Sequence, residues 1–273
     1  MSLPVTHCRL QRSPIGSKCQ GSRPRWSIES APHVRKPWGR QDEYAASRLQ
    51  LSQRLWRTFV APVDNHAAHA WLSNLDVSRE TREKLAKYTA NIVEGTRRHN
   101  LISSASIEEI TTRHIVDSAQ LITLADNRSG RWLDLGSGAG LPGLVIALLT
   151  GAPMVLIESR KLRAEFLQAQ ITEFALDNVT VEARRVEVVP TLPVDVITAR
   201  AFAPLAKLLP LAARFAHAKT SWILPKGRSA REELASVAAT WHGDFTMVPS
   251  ITDPSSIIIV GHGVRLRAGR RAS

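Results

Sequence analysis

The stretch Asp134-Leu135-Gly136-Ser137-Gly138-Ala139-Gly140-Leu141-Pro142-Gly143 constrains this chain more than any other. Arg131-Trp132-Leu133 runs into it as the end of a short buried strand, and Leu144-Val145-Ile146-Ala147-Leu148-Leu149 leaves it as an apolar helical run. Strand, glycine loop and helix, in that order, open a nucleotide-binding α/β unit. Glycines are needed because the backbone must turn tightly and let a ligand approach with no Cβ in the way. Met154-Val155-Leu156-Ile157 then reads as a second strand closed by Glu158, an acid placed to accept both hydroxyls of a ribose.

Two ligands compete for such a loop. Gly138-x-Gly140-x-x-Gly143, with Glu158 downstream, fits the dinucleotide fingerprint of a nicotinamide-dependent oxidoreductase. Asp134 followed by Gly136-x-Gly138-x-Gly140 fits an S-adenosylmethionine loop instead. The acid at the strand tip discriminates between them. A carboxylate there repels a pyrophosphate and attracts a sulfonium and an ammonium, so the methyl donor is favoured.

From Arg131 onward strands and helices alternate, as in a Rossmann-like doubly wound sheet. Strands are expected at Val179–Ala183, Val194–Thr198 and Ser221–Leu224. Phe245–Val248 and Ile257–Val260 read as a C-terminal antiparallel hairpin. Helices are expected at Lys161–Phe174 with Leu162, Phe166, Leu167 and Ile171 inward, at Leu205–Ala216 and at Glu232–Trp241. Before the sheet, Leu49 to Leu124 has helical periodicity. Helices are read over Leu49–Phe59, over His66–Leu75, from an N-cap at Ser78 to Gly95, and around Ile107–Leu121. The expected organisation is a basic extension over 1–48, a small N-terminal helical cap over 49–124, an α/β domain over 125–264 and a basic tail over 265–273.

Charge adds a hint about partners. The chain carries +12, and residues 1–48 hold nine Lys/Arg against three Asp/Glu, half of that excess. Such a balance suits a polyanion such as RNA. The proline-, serine- and arginine-rich extension reads as sequence upstream of a mis-set start, as a flexible RNA-binding arm, or as a transit-peptide-like segment. Cys8 and Cys19 lie outside the expected folded core, without a metal-binding spacing or a disulfide framework. No run of apolar residues approaches a membrane span. A soluble cytoplasmic protein, without metal and without a membrane partner, is the expectation.

In open α/β sheets ligands bind at the carboxyl ends of the strands. Those ends here carry Asp134, Glu158, Glu187, Arg200 and Lys226. Asp134 and the Gly136 backbone would face the amino-acid end of a methyl donor, Glu158 its ribose, and Val186 with Glu187 its adenine. Arg200 and Lys226 would bring positive charge to the rim for an anionic substrate. His114 and Asp117 stand one turn apart and read as a hydrogen-bonded pair at the surface or at a domain junction. Neither cysteine supports covalent catalysis.

Asn100-Leu101-Ile102, Arg113-His114-Ile115-Val116-Asp117-Ser118, the Asp134–Gly143 loop, Arg185-Val186-Glu187, Thr198-Ala199-Arg200-Ala201-Phe202-Ala203 and Lys226-Gly227 follow one another in this order. Together they resemble the bacterial 16S ribosomal RNA guanine-N7 methyltransferase family, also called the glucose-inhibited division protein B family. The resemblance spans about Leu55 to Val260. One departure is Gly95-Thr96, where the family often carries Trp-Asn. The resemblance implies a class I methyltransferase fold with a helical cap. It implies S-adenosylmethionine as cofactor and 16S rRNA, free or in the small subunit, as partner. Carried over by position, it implies cofactor contacts at Gly136, Leu141, Val186, Glu187 and Arg200, with Lys226 and His114 on the RNA side. Two other readings stay open beside it: the oxidoreductase, and a non-catalytic RNA-binding protein that kept the fold.

Overall fold

Short, uniformly apolar strands between amphipathic helices can bury themselves only inside a layered α/β sandwich. The computed structural model describes residues 65–267. The basic extension, the helix read over 49–59 and the end of the basic tail lie outside them. The described strands are β1 (Trp132–Leu135), β2 (Met154–Ile157), β3 (Val179–Glu182), β4 (Val194–Thr198), β5 (Ala216–Gly227), β6 (Trp241–Pro249) and β7 (Ile257–Leu266). They form one sheet in the order β3-β2-β1-β4-β5-β7-β6. The first five are parallel, while β7 runs antiparallel between β5 and β6. The expected hairpin is therefore present and longer than its apolar centre suggested. Its last strand reaches Leu266, inside the stretch read as a basic tail.

Helices cover both faces: α1 (Asn65–Ser73), α2 (Arg79–His99), α3 (Gly143–Thr150), α4 (Lys161–Phe174), α5 (Leu205–Ala212) and α6 (Ala230–Val237). Side chains of a strand alternate between faces. Trp132 packs into the core shared with α2, α3 and α4, while Leu133 and Leu135 pack into the core shared with α5 and α6. Asp134 thereby points to the same side as Trp132, toward the cap. α2 lies on this face, where Tyr88 sets its ring edge-on to Phe174 of α4 and Asn91 bonds Gln170 at 2.8 Å.

Several expected boundaries shift. Ser78 caps α2 as expected, its Oγ accepting the Thr81 N–H at 3.1 Å. Gly95, however, does not end α2. The helix continues to His99, where Asn100 turns left-handed (φ 49°) and caps it by donating to the Thr96 carbonyl. Gly95 is instead a contact residue: a Cβ there would stand 2.6 Å from Leu101 Cδ1 and 3.1 Å from Phe166 of α4. Leu162 is 55% exposed rather than inward. At about 100° per residue it falls half a turn out of phase with Ile171, which is buried. The helix expected around Ile107–Leu121 is preceded by a 3-10 turn (Ser104–Ser106) and is itself broken into a wide π turn (Thr111–Val116), one α turn (Asp117–Ala119) and a 3-10 stretch (Gln120–Leu124). α6 stops at Val237, because Trp241 is buried as the first residue of β6. No helix among the described residues is long and apolar enough to cross a membrane.

Candidate functional site

The loop after β1 is fixed by main-chain bonds. Gly136 and Ser137 both donate to the Ile157 carbonyl at the tip of β2, at 2.9 and 3.0 Å. Gly136, Gly138 and Gly140 have φ of 69°, 57° and 89°, a region closed to most side chains. Their surroundings differ. A Cβ on Gly136 would meet Phe202 Cδ2 at 2.5 Å, so the Phe202 ring lies directly on the loop. A Cβ on Gly138 would meet nothing nearer than 3.8 Å, so the loop opens outward there.

Asp134 lies beneath this loop and is fully buried rather than at its rim. Its Oδ2 accepts the Gly143 N–H at 3.2 Å, at the start of α3, while Oδ1 has no partner among the described residues. Burial pushes its pKa up to about 7, against the lowering effect of the nearby Ser137 hydroxyl, of the Gly143 hydrogen bond and of Arg200; Ser137 Oγ itself donates to the Asp134 main-chain carbonyl at 3.1 Å. Tyr88, expected from the sequence only as part of the apolar face of α2 and not as a site residue, donates to the Ala139 carbonyl at 2.5 Å and ties α2 to the loop. Burial, then Asp134, holds its phenol far above its ordinary range, so it remains a donor.

Glu158 is also buried, at the tip of β2. Its Oε2 accepts the Gly138 N–H at 2.9 Å and its Oε1 the Arg160 N–H at 2.7 Å. Each carboxylate oxygen keeps a second lone pair for a hydroxyl. Beyond β3, Val186 is buried and its carbonyl is held by Arg214, which also bonds the Val189 carbonyl at 2.6 Å and lies 4.5 Å over the Phe215 ring. Glu187 is exposed and paired to Arg185 at 2.8 Å, which holds its carboxyl below the usual range. Leu141 is buried, and the peptide between it and Pro142 is cis.

Arg200 follows β4, beside β1. Its guanidinium reaches Asp117 Oδ2 at 3.3 Å and the Arg113 carbonyl at 3.2 Å. Asp117 and His114 are joined through the main chain, the Asp117 N–H donating to the His114 carbonyl, but their side chains do not meet. Asp117 turns to Arg200, Gln120, Ser250 and Thr252, while His114 Nε2 meets Ser106 Oγ at 2.9 Å. Burial first, then Arg200 and Arg113, lower the His114 pKa to about 4, so its ring is neutral at pH 7. Lys226 differs from the free rim cation that its position suggested. Its side chain is 7% exposed, bonds the Ala203 carbonyl at 2.5 Å and pairs with Glu233 at 3.0 Å. Arg200, Phe202, Pro204, Pro225, Lys226 and Ser250 are among the residues lining a cleft of about 540 Å³ beside the glycine loop. Among the described residues, no group of three His, Cys, Asp or Glu side chains is placed to hold a metal ion.

The sheet order, the glycine loop after β1 and the acid after β2 define a Rossmann-like class I methyltransferase fold, here with a helical cap. Cofactor-bound Rv0187 from MTB shares that fold at a TM-score of 0.51 and 13% identity, over 72% of this chain and 96% of that one. Residues 81–254 match the GidB family, described as rRNA small subunit methyltransferase G, and the chain belongs to that family. It is 49% identical over 211 residues to the Ribosomal RNA small subunit methyltransferase G of Rhizorhabdus wittichii, covering 75% of this chain and 97% of the relative. It is 42% identical over 213 residues to the protein of the same name from Zymomonas mobilis, covering 74% and 96%.

Proposed function

We propose that this chain transfers the methyl group of S-adenosylmethionine to N7 of a guanine in 16S ribosomal RNA. The observation that carries the reading is a buried carboxyl oxygen, Asp134 Oδ1, without a partner among the described residues, beneath a glycine loop that opens outward at Gly138. A buried carboxyl with its pKa raised to about 7 ionises in the presence of a cationic ligand and then disfavours a pyrophosphate, so this donor set fits a sulfonium better than a nicotinamide dinucleotide. Gly136, Leu141, Val186, Glu187, Arg200, Asp134 and Glu158 would hold the cofactor. Glu158 would receive the ribose hydroxyls, and the chain segment at Val186–Glu187 would receive the adenine.

When bound, S-adenosylmethionine supplies an electrophilic methyl group on a positively charged sulfur. The chain's task is then orientation. Guanine N7 carries a free lone pair, so no residue has to remove a proton, and holding the ring nitrogen in line with the methyl supplies most of the acceleration. The cleft between the loops after β4 and β5 lies next to Phe202, which rests on the glycine loop. We assign the acceptor base to that cleft. His114 is neutral and Lys226 is already paired, so neither offers a free charge to RNA.

The test is transfer of labelled methyl from S-adenosylmethionine to rRNA or small-subunit particles lacking the modification, followed by mapping of the labelled base. Label at a guanine N7 supports the proposal. Label at another atom refutes the N7 assignment, and no incorporation into either substrate refutes the enzyme. Calorimetry with S-adenosylhomocysteine separates that last outcome into an empty loop, as in a non-catalytic RNA binder, and an occupied one.

A further inference from the structure

We infer that Asp117 is a positioning residue for the transfer, fixing Arg200 at the cleft with one carboxylate oxygen and fastening the loop between β6 and β7 with the other. The inference rests on the proposed role of Arg200 in the site. Asp117 Oδ2 takes Arg200 at 3.3 Å. Its Oδ1 takes Gln120 Nε2 at 2.9 Å, Thr252 Oγ1 at 3.0 Å and Ser250 Oγ at 3.3 Å. Gln120 is fully buried. It gives a further bond to Ser250 Oγ at 2.9 Å and accepts the Ile251 N–H at 3.0 Å. One carboxylate thus joins three segments distant in sequence: the irregular helix of the cap, the loop after β4 and the loop after β6.

All three segments reach the same cleft, which Asp117, Arg200 and Ser250 line together. The Arg200 side chain is 20% exposed and that of Asp117 is 19% exposed, so the pair is shielded from water and screened less than a surface pair. Both bonds of the guanidinium to the described residues leave from one nitrogen, Nη1. The planar fork presents five donors in all, so Nε and Nη2 remain for an oxygen in the cleft. A long arginine side chain explores many rotamers unless something selects one. Asp117 and the Arg113 carbonyl make that selection. The π turn at Thr111–Val116 brings both into reach, since Arg113 lies within it and Asp117 directly follows it.

The test is a double-mutant cycle on kcat/KM for methyl transfer, with melting temperature measured alongside. Asp117→Asn keeps the shape and removes the charge; Arg200→Lys keeps a charge and removes the fork. If Asp117 acts through Arg200, each single change lowers kcat/KM about tenfold or more, and the double variant is no worse than the poorer single one within about threefold. Multiplied effects, or an Asp117→Asn enzyme within about twofold of the parent, overturn the inference. A purely structural role would lower the melting temperature without such coupling. If Asp117→Asn does not fold, Asp117→Glu enters the cycle under the same criterion. A parent protein that transfers no methyl overturns the proposed function and this inference with it. An active parent with uncoupled variants overturns the inference alone.

Discussion

Asp134 combines two properties that rarely coexist in a carboxyl: complete burial and one oxygen without a partner among the described residues. With a folded pKa raised to about 7, it retains a proton that the unfolded chain has lost above its ordinary 3.8. Its contribution to stability is therefore present below about pH 4 and is lost as pH rises toward 7. A cationic ligand reverses the preference by favouring the ionised form. S-adenosylmethionine is expected to bind more tightly as pH rises from 6 to 8 and to release protons below 7. S-adenosylhomocysteine, which lacks the sulfonium, should show a shallower slope, and Asp134→Asn should flatten both. Calorimetry in buffers of different ionisation enthalpy reads this directly, and equal slopes for parent and variant would exclude Asp134 as the source. The two glycines make a second residue-scale pair. Gly138→Ala is expected to cost about 1–2 kcal/mol through its left-handed backbone alone, while lowering S-adenosylhomocysteine affinity because its Cβ enters the open side of the loop. Gly136→Val should lose more stability, since its Cβ would strike Phe202 rather than reach open space. Thermal melts together with calorimetry check that order.

Among the elements, α6 and the end of β5 are joined by the ion pair Lys226–Glu233, whose lysine end is buried and also bonds the Ala203 carbonyl in the loop after β4. Glu233 also accepts from the Leu205 N–H at the start of α5 and from Ser229 Oγ, both at 2.8 Å. Burial pushes its carboxyl up, but the bonds from Lys226, Ser229 and Leu205 outweigh it and hold the group below the usual range. Removing one partner of such a pair leaves an uncompensated buried charge. Glu233→Gln is expected to destabilise by about 3–5 kcal/mol, and Lys226→Met by less, because Glu233 keeps its two other donors. Denaturant titration gives the ranking, and the reverse order would argue against the pair as the joint. The π turn carries a pH signature as well. The His114 pKa falls from its ordinary 6.5 to about 4. Its neutral burial therefore contributes stability above 6.5 that is lost as pH falls toward 4. His114→Asn should remove part of the acid destabilisation in that window, as read from melting temperature against pH.

At the scale of the whole molecule, an excess of +12 charges accompanies a site whose inner cations are already paired. Lys226 is neutralised by Glu233 and Arg200 is held by Asp117, so attraction to a polyanion falls to residues outside the cleft. Binding to rRNA is expected to weaken steeply with salt, log K falling with log salt in proportion to the number of phosphates contacted. Lys226→Met is expected to leave that slope unchanged. Filter binding from about 50 to 200 mM salt tests both, and a reduced slope for the variant would return Lys226 to the RNA surface.

Local chemistry wrote much of this molecule into its sequence. The glycine loop, the apolar strands β1, β2 and β4 and the Ser78 cap depend on neighbours along the chain, and each was legible from residue type and spacing. So was the ordering of acids and bases along the strand tips, because strand ends in a parallel sheet share one edge. Partnership across the fold was not legible. The burial of Asp134, the capture of Lys226 by Glu233, the reach of Asp117 to Arg200, Ser250 and Thr252, and the close packing that puts Gly95 inside a helix all join residues far apart in sequence. Only the packing of the layers decides which of these groups meet, and burial then decides which of them keep a charge.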